Sequence, residues 1–139
     1  MLLTDQLTKA WTRARFQPSE SLPVLPPVFQ LTYVQNTGAA FGIFQGRTTL
    51  FILCSTAVIA WIVVEFWRWR RQPMTLTLLG LALVLGGAVG NLIDRLWLGY
   101  VTDFLDFRVW PVFNVADTCI TIGVGVCLLA SFKAPRRTR

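Results

Sequence analysis

Three stretches of this chain abandon the usual mixing of apolar and polar positions. Thr48 to Val64 carries no charge for seventeen residues and reaches Trp67 past a single acid, Glu65. Met74 to Ile93 is uncharged for twenty, and Val112 to Phe132 holds one charge, Asp117, in twenty-one. Each is long enough to cross about 30 Å of hydrocarbon as a helix, so helices are expected at about 48–67, 74–93 and 113–132. The pattern is different before the first run. Pro23, Pro26 and Pro27 keep the backbone extended or turning, and Val28 to Val34 is rich in strand formers, which predicts a small sheet at the membrane surface within residues 17–45. The small residues of Asn36-Thr-Gly-Ala-Ala-Phe-Gly42 then allow close backbone approach, or make a tight loop before a helix. No internal repeat or linker divides residues 1–139, so a single membrane domain is expected.

Composition and charge agree with a bilayer setting. Apolar residues make up 54% of the 139 and charged residues 14%, too much apolar surface for so short a chain to bury in water. Arg68, Arg70 and Arg71 follow the first run, and Lys133, Arg136, Arg137 and Arg139 follow the last. The loop from Arg95 to Pro111 is balanced. Basic flanks face the cytoplasm, which places 68–73 and the tail 133–139 inside, and residues 95–111 and those before Thr48 outside. Topology and contact with anionic membrane lipid thus account for the net charge of +6, with no nucleic-acid partner implied.

The chain contains no histidine, which excludes Ser-His-Asp, Cys-His and His-ligated zinc chemistry. Cys54, Cys119 and Cys127 lie within the apolar runs without metal-ligand spacing and read as small apolar side chains. A Ser-Lys pair of Lys9 with Ser19 or Ser21 satisfies the spacing, but both serines stand in a Pro-rich segment. Carboxylates remain, and Asp103 and Asp117, fourteen residues apart at the mouth of the last run, are the leading pair: two Asp sharing protons around a water suffice for hydrolysis. Asp117 has a structural alternative, closing a capping box with Asn114. Asp94 opposes the dipole at a helix C-terminus and needs a partner, either Arg95 or a residue of another helix. Gly86 and Gly90 form a small-xxx-small surface for helix packing. A rival reading is a small multi-pass transporter or proton-conducting subunit with Asp117 and Glu65 as relay carboxylates; purely structural packing is a third.

Taken in order, Asp5-Gln-Leu-Thr-Lys9, Asn36-Thr-Gly-Ala-Ala-Phe-Gly42, Gly86-Gly-Ala-Val-Gly-Asn-Leu-Ile-Asp-Arg95, Gly99-Tyr-Val-Thr-Asp-Phe104 and Phe113-Asn-Val-Ala-Asp117 resemble the five blocks of lipoprotein signal peptidase, signal peptidase II. The resemblance implies an α-helical polytopic membrane protein, a four-helix bundle with a small extracytoplasmic β-sheet, in the bacterial inner membrane. It implies an intramembrane aspartic endopeptidase that cuts the signal peptide from a diacylglyceryl-modified prolipoprotein just before the lipidated cysteine. Asp103 and Asp117 match its catalytic pair. Asp5, Lys9, Asn36, Asn91, Asp94, Arg95, Asn114 and Ala116 match positions that support the site, and no metal or organic cofactor is implied. The family carries a whole apolar helix ahead of the first block, whereas only Met1 to Thr4 precede Asp5 here. Residues 1–16 then read as the remnant of that helix and its exit, and about 12 to 18 mostly apolar residues encoded upstream of Met1 are expected to complete the span.

Overall fold

A computed structural model describes residues 1–38 and 44–133. Among the described residues the elements in chain order are α1 (Leu2–Arg15), β1 (Ser21–Leu25), β2 (Phe29–Asn36), α2 (Thr48–Trp69), α3 (Leu76–Leu98), β3 (Val101–Asp106) and α4 (Val115–Lys133). Helices α2, α3 and α4 are long and apolar enough to cross a membrane. Their interior i→i−4 hydrogen bonds satisfy the backbone where no water can. α3 is the central one: 33% of its apolar window is buried, against 6% for α2 and 11% for α4. Exposed apolar side chains such as Leu53, Val63 and Leu129 give the outer helices a surface suited to lipid.

The helix ends are set by local chemistry. The Thr75 hydroxyl accepts the Leu78 N–H at 3.2 Å and starts α3. Gly99, at φ +80°, stops it with its N–H on the Arg95 carbonyl, a left-handed cap that a side chain would strain. α3 therefore runs five residues beyond the expected 93, and carries Arg95, expected as the first residue of the outer loop, within the helix.

Close approach of α3 and α4 depends on glycine. A Cβ on Gly87 would strike the Ala116 carbonyl oxygen, and those on Gly80 and Gly123 would meet each other's carbonyl oxygens at 2.7 and 2.6 Å. Gly86 instead faces only the flexible end of Met1. Gly80 and Gly87 thus face α4, whereas the expected pair, Gly86 and Gly90, lies one face round the helix against Met1 and Asp5 at the start of α1.

The sheet is also larger than expected. β1 and β2 form an antiparallel hairpin, Ser21 opposite Thr32, and β3 pairs antiparallel with β2, Val34 opposite Asp103 and Asn36 opposite Val101. The segment 101–106, expected as part of an outer loop, is the most buried strand of the three. Of the Asn36–Gly42 block, residues 39–42 lie outside the described residues, as do residues 134–139 of the basic tail.

Candidate active site

The buried interior at the sheet end of the bundle is polar. Asp5, Lys9, Thr12, Asn91, Asp94, Thr102, Asp103 and Asn114 are all at most 6% exposed. On α1, Asp5, Lys9 and Thr12 follow the i, i+4, i+7 spacing of one helix face. Lys9 is fully buried among three oxygens: Asp5 at 3.0 Å, Asp94 at 3.5 Å and the Asn91 Oδ1 at 2.8 Å. The Asp5 carboxylate also accepts the Ala116 N–H at 2.9 Å, one of the orphan donors at the start of α4. It lies so close to Gly90 that an added Cβ would stand 2.5 Å from its Oδ2. Lys9 is accordingly engaged in this network and is not a free base for Ser19 or Ser21; Ser21 bonds Thr32 across the hairpin at 3.0 Å.

Asp94 finds its partners on α1 and β3 and not in the adjacent Arg95. Its Oδ2 accepts the Thr102 N–H at 2.9 Å beside Lys9, and Arg13 stands 4.0 Å from its Oδ1. Successive residues on a helix point about 100° apart, so Arg95 turns elsewhere. It donates to the Gly38 carbonyl at 3.0 Å and lies 5.0 Å over the Phe51 ring, tying the end of β2 to α2 and α3.

Asp103 and Asp117 meet because the chain after β3 folds back on it. Phe113 bonds Leu105 in both directions, N–H to carbonyl at 3.1 and 2.8 Å, which sets Asn114 at the start of α4 beside β3. There the capping box forms: the Asn114 Oδ1 accepts the Asp117 N–H at 3.0 Å, and the Asp117 Oδ2 accepts the Asn114 N–H at 3.2 Å. The Asn114 amide simultaneously donates to the Asp103 Oδ1 at 2.6 Å and to the Asn91 Oδ1 at 3.2 Å. Asn91 donates to the Asp117 Oδ1 at 2.7 Å, and Asn36 donates to the Asp103 Oδ2 at 2.9 Å.

The polarity of this array is determinate. Lys9 can only donate, so the Asn91 oxygen faces it and the Asn91 NH₂ faces Asp117. Backbone N–H groups likewise fix Asn114 through Asp117, and Asn36 through Gly38 at 2.9 Å. Each of the four carboxylate oxygens of Asp103 and Asp117 thus receives one N–H, all from groups that cannot reverse. Both aspartates open on a cavity of about 240 Å³ that Arg95, Trp110 and Phe113 also line. Burial, and secondarily the charge of Asp117, push the Asp103 carboxyl up to about 7, against the opposing pull of its Asn36 and Asn114 donors.

The structure therefore brings Asp5, Lys9, Asn36, Asn91, Asp94, Asn114, Ala116 and the aspartate pair into one connected network, with Arg95 on the cavity wall. Gln6 belongs to it as well. Its amide donates to the Asp5 Oδ2 and to the Gly90 carbonyl, both at 3.1 Å. Its sequence signal was its place inside the first block, Asp5 to Lys9. Thr102, inside the fourth block, is joined at 2.9 Å to Arg13, which lies in no block and had no sequence signal because its partner is 89 residues away. No group of three or more His, Cys, Asp or Glu suited to a metal ion occurs among the described residues.

Residues 1–133 match the sequence profile described as signal peptidase (SPase) II. The chain belongs to the signal peptidase II family. It is similar to a lipoprotein signal peptidase of Moorella thermoacetica, 52% identical over 89% of this chain and 82% of the relative, and to one of Halothermothrix orenii, 46% identical over 93% and 88%. A bacterial membrane enzyme solved by the in meso method shares 31% identity and superposes with a TM-score of 0.85, covering 99% of this chain and 89% of that one. A second such structure gives 0.84 at 32% identity. Family membership, with three apolar helices, makes the protein a multi-pass bacterial membrane peptidase of lipoprotein processing. The transporter reading falls with it. Glu65, its second relay acid, is held by Arg68 at 2.9 Å and the Trp69 indole at 3.1 Å, near the far end of α2.

Proposed function

We propose that this signal peptidase II is an intramembrane aspartic endopeptidase with Asp103 and Asp117 as its catalytic pair. It removes the signal peptide of a diacylglyceryl-modified prolipoprotein by cutting before the lipidated cysteine. The observation that carries this reading is the pair of carboxyls on one cavity, each oxygen holding one fixed N–H donor and the two bridged by Asn114. Such donors orient both groups without neutralising them. Because two adjacent carboxylates resist ionising together, the pair retains one proton, which burial favours on Asp103.

Asp117 then takes a proton from a water as its oxygen attacks the scissile carbonyl carbon, and Asp103 gives its proton to the carbonyl oxygen. Collapse of the resulting gem-diol returns a hydroxyl proton to Asp103, breaks the C–N bond and passes the proton on Asp117 to the leaving amine. The starting state is restored. Lys9, Asp5 and Asp94 act at one remove by holding Asn91 and the start of α4 in place. The basic flanks of α2 and α4 support an extracytoplasmic active site and a cytoplasmic C-terminus, and the apolar walls beside Asp117, Phe107, Phe113 and Ile122, suit acyl chains entering from the bilayer.

The test is cleavage of a lipidated prolipoprotein by the purified chain in detergent, followed by gel shift with a chelator present. Asp103→Asn and Asp117→Asn are each expected to abolish turnover while leaving the thermal transition in place. Substantial turnover by either variant would refute the pair, and equal cleavage of the unlipidated precursor would refute the substrate.

A further inference from the structure

At the end of the bundle remote from the aspartates, two hollows adjoin. The Thr48 hydroxyl bonds the Gly99 carbonyl at 2.9 Å beside the sheet, so Trp69, at the other end of α2, lies about 30 Å away along the helix. One hollow, about 410 Å³, is walled by Trp61, Leu78, Leu81 and Cys127 from α2, α3 and α4 and is almost wholly apolar. The other, about 440 Å³, is of mixed character and lined by Glu65, Arg68, Trp69 and Gln72. Glu65 and Trp69 belong to both, so an apolar slot opens directly into this mixed mouth. Inside the mouth the charges are paired, Arg68 and the Trp69 indole on the Glu65 carboxylate; the excess positive charge lies at its edge, where Arg70 and Arg71 precede the lining residue Gln72 with no further acid in residues 65–72. Arg70 folds back over Trp67, 4.3 Å above its ring, while the exposed Arg71 forms no ion pair among the described residues.

We propose that this end of the bundle binds an anionic phospholipid of the neighbouring leaflet, one acyl chain lying against Trp61, Leu81 and Cys127 and the phosphodiester meeting Arg68 and Arg71. Charge selects the occupant. A basic peptide segment meets like charge at this mouth, whereas an anionic headgroup gains from each arginine near the surface. The Trp69 ring, shared by slot and mouth, provides the amphipathic edge that headgroup-level positions favour. The site is independent of the aspartate chemistry, so its test reads binding and not cleavage.

Full-length protein in detergent is titrated with phosphatidylglycerol or phosphatidylcholine carrying brominated acyl chains, and tryptophan quenching is followed. Phosphatidylglycerol is expected to quench at lower concentration, Trp61→Phe to reduce the quenched fraction, and Arg71→Gln to weaken phosphatidylglycerol about fivefold while leaving phosphatidylcholine unchanged. Leu81→Phe, which fills the slot, is expected to abolish the Trp61-dependent part. Equal quenching by the two lipids, or an Arg71→Gln variant indistinguishable from the parent, would overturn the proposal. Displacement of the brominated lipid by inorganic phosphate alone, or by a synthetic basic apolar peptide, would overturn it in favour of those occupants.

Discussion

Helices α1 and α2 are held in the same bundle by opposite means. α1 has 14 residues and buries Asp5, Lys9 and Thr12; α2 has 22, and its one fully buried side chain is Ile62. A charged face points inward on the first and an apolar surface outward on the second. In lipid the hydrophobic effect does not drive helices together, because tails are as apolar as leucine. Association then depends on close packing and on polar groups that have no better place to go. α1 is attached by ion pairs and hydrogen bonds to α3, β3 and α4, all converging near the aspartates. α2 is attached by shape, and leaves open the far end of the bundle where the slot lies.

The sharpest way to break the contrast is Lys9→Met. It keeps the volume but strands Asp5 and Asp94 as buried, uncompensated acids, and is expected to cost about 3–5 kcal/mol, read as a lost or strongly lowered thermal transition in detergent. If Lys9→Met melts like the parent, the polar network does not hold α1.

A second test uses pH. Asp103 carries a folded-state value of about 7 against an ordinary 3.8, so between those values the folded protein binds more protons than the unfolded one. Stability from this group is therefore fully present below about pH 4, falls as pH rises through the window and levels off above about 7. Thermal melts from pH 4 to 8 are expected to show this decline, and Asp103→Asn to flatten it. An unchanged slope in the variant would assign the decline to another group.

The smallest effects belong to α2. Ile62→Ala opens a cavity and is expected to cost about 1–3 kcal/mol, the packing share of the usual loss. Its neighbour Val63, 52% exposed, is expected to tolerate alanine within about 0.5 kcal/mol. Equal losses at the two positions would mean that the face of α2 turned toward Val63 is covered by something other than lipid or detergent.

Much of the frame was legible from run length. A membrane span must satisfy its own backbone, so an uncharged run of about twenty residues has few alternatives to a helix, and the three runs became α2, α3 and α4. The capping box of Asn114 and Asp117 was also legible, because its partners stand three residues apart. β3 was not: a strand in a 17-residue loop of balanced charge is specified by its pairing with β2, whose register lies about 70 residues away in the chain.

What the sequence determined by itself, then, were the spans, their basic flanks and the ordered polar blocks, each a property of neighbouring residues or of composition. Tertiary structure alone decided that Asp94 answers to Lys9 and Thr102 rather than Arg95, that Gly87 rather than Gly86 admits α4, and that Asn91 stands between Lys9 and Asp117. These are choices among partners of equal chemical merit. Only the rotation of α3 about its axis and the return of the chain along β3 select between them, and both are fixed by contacts between elements distant in the chain.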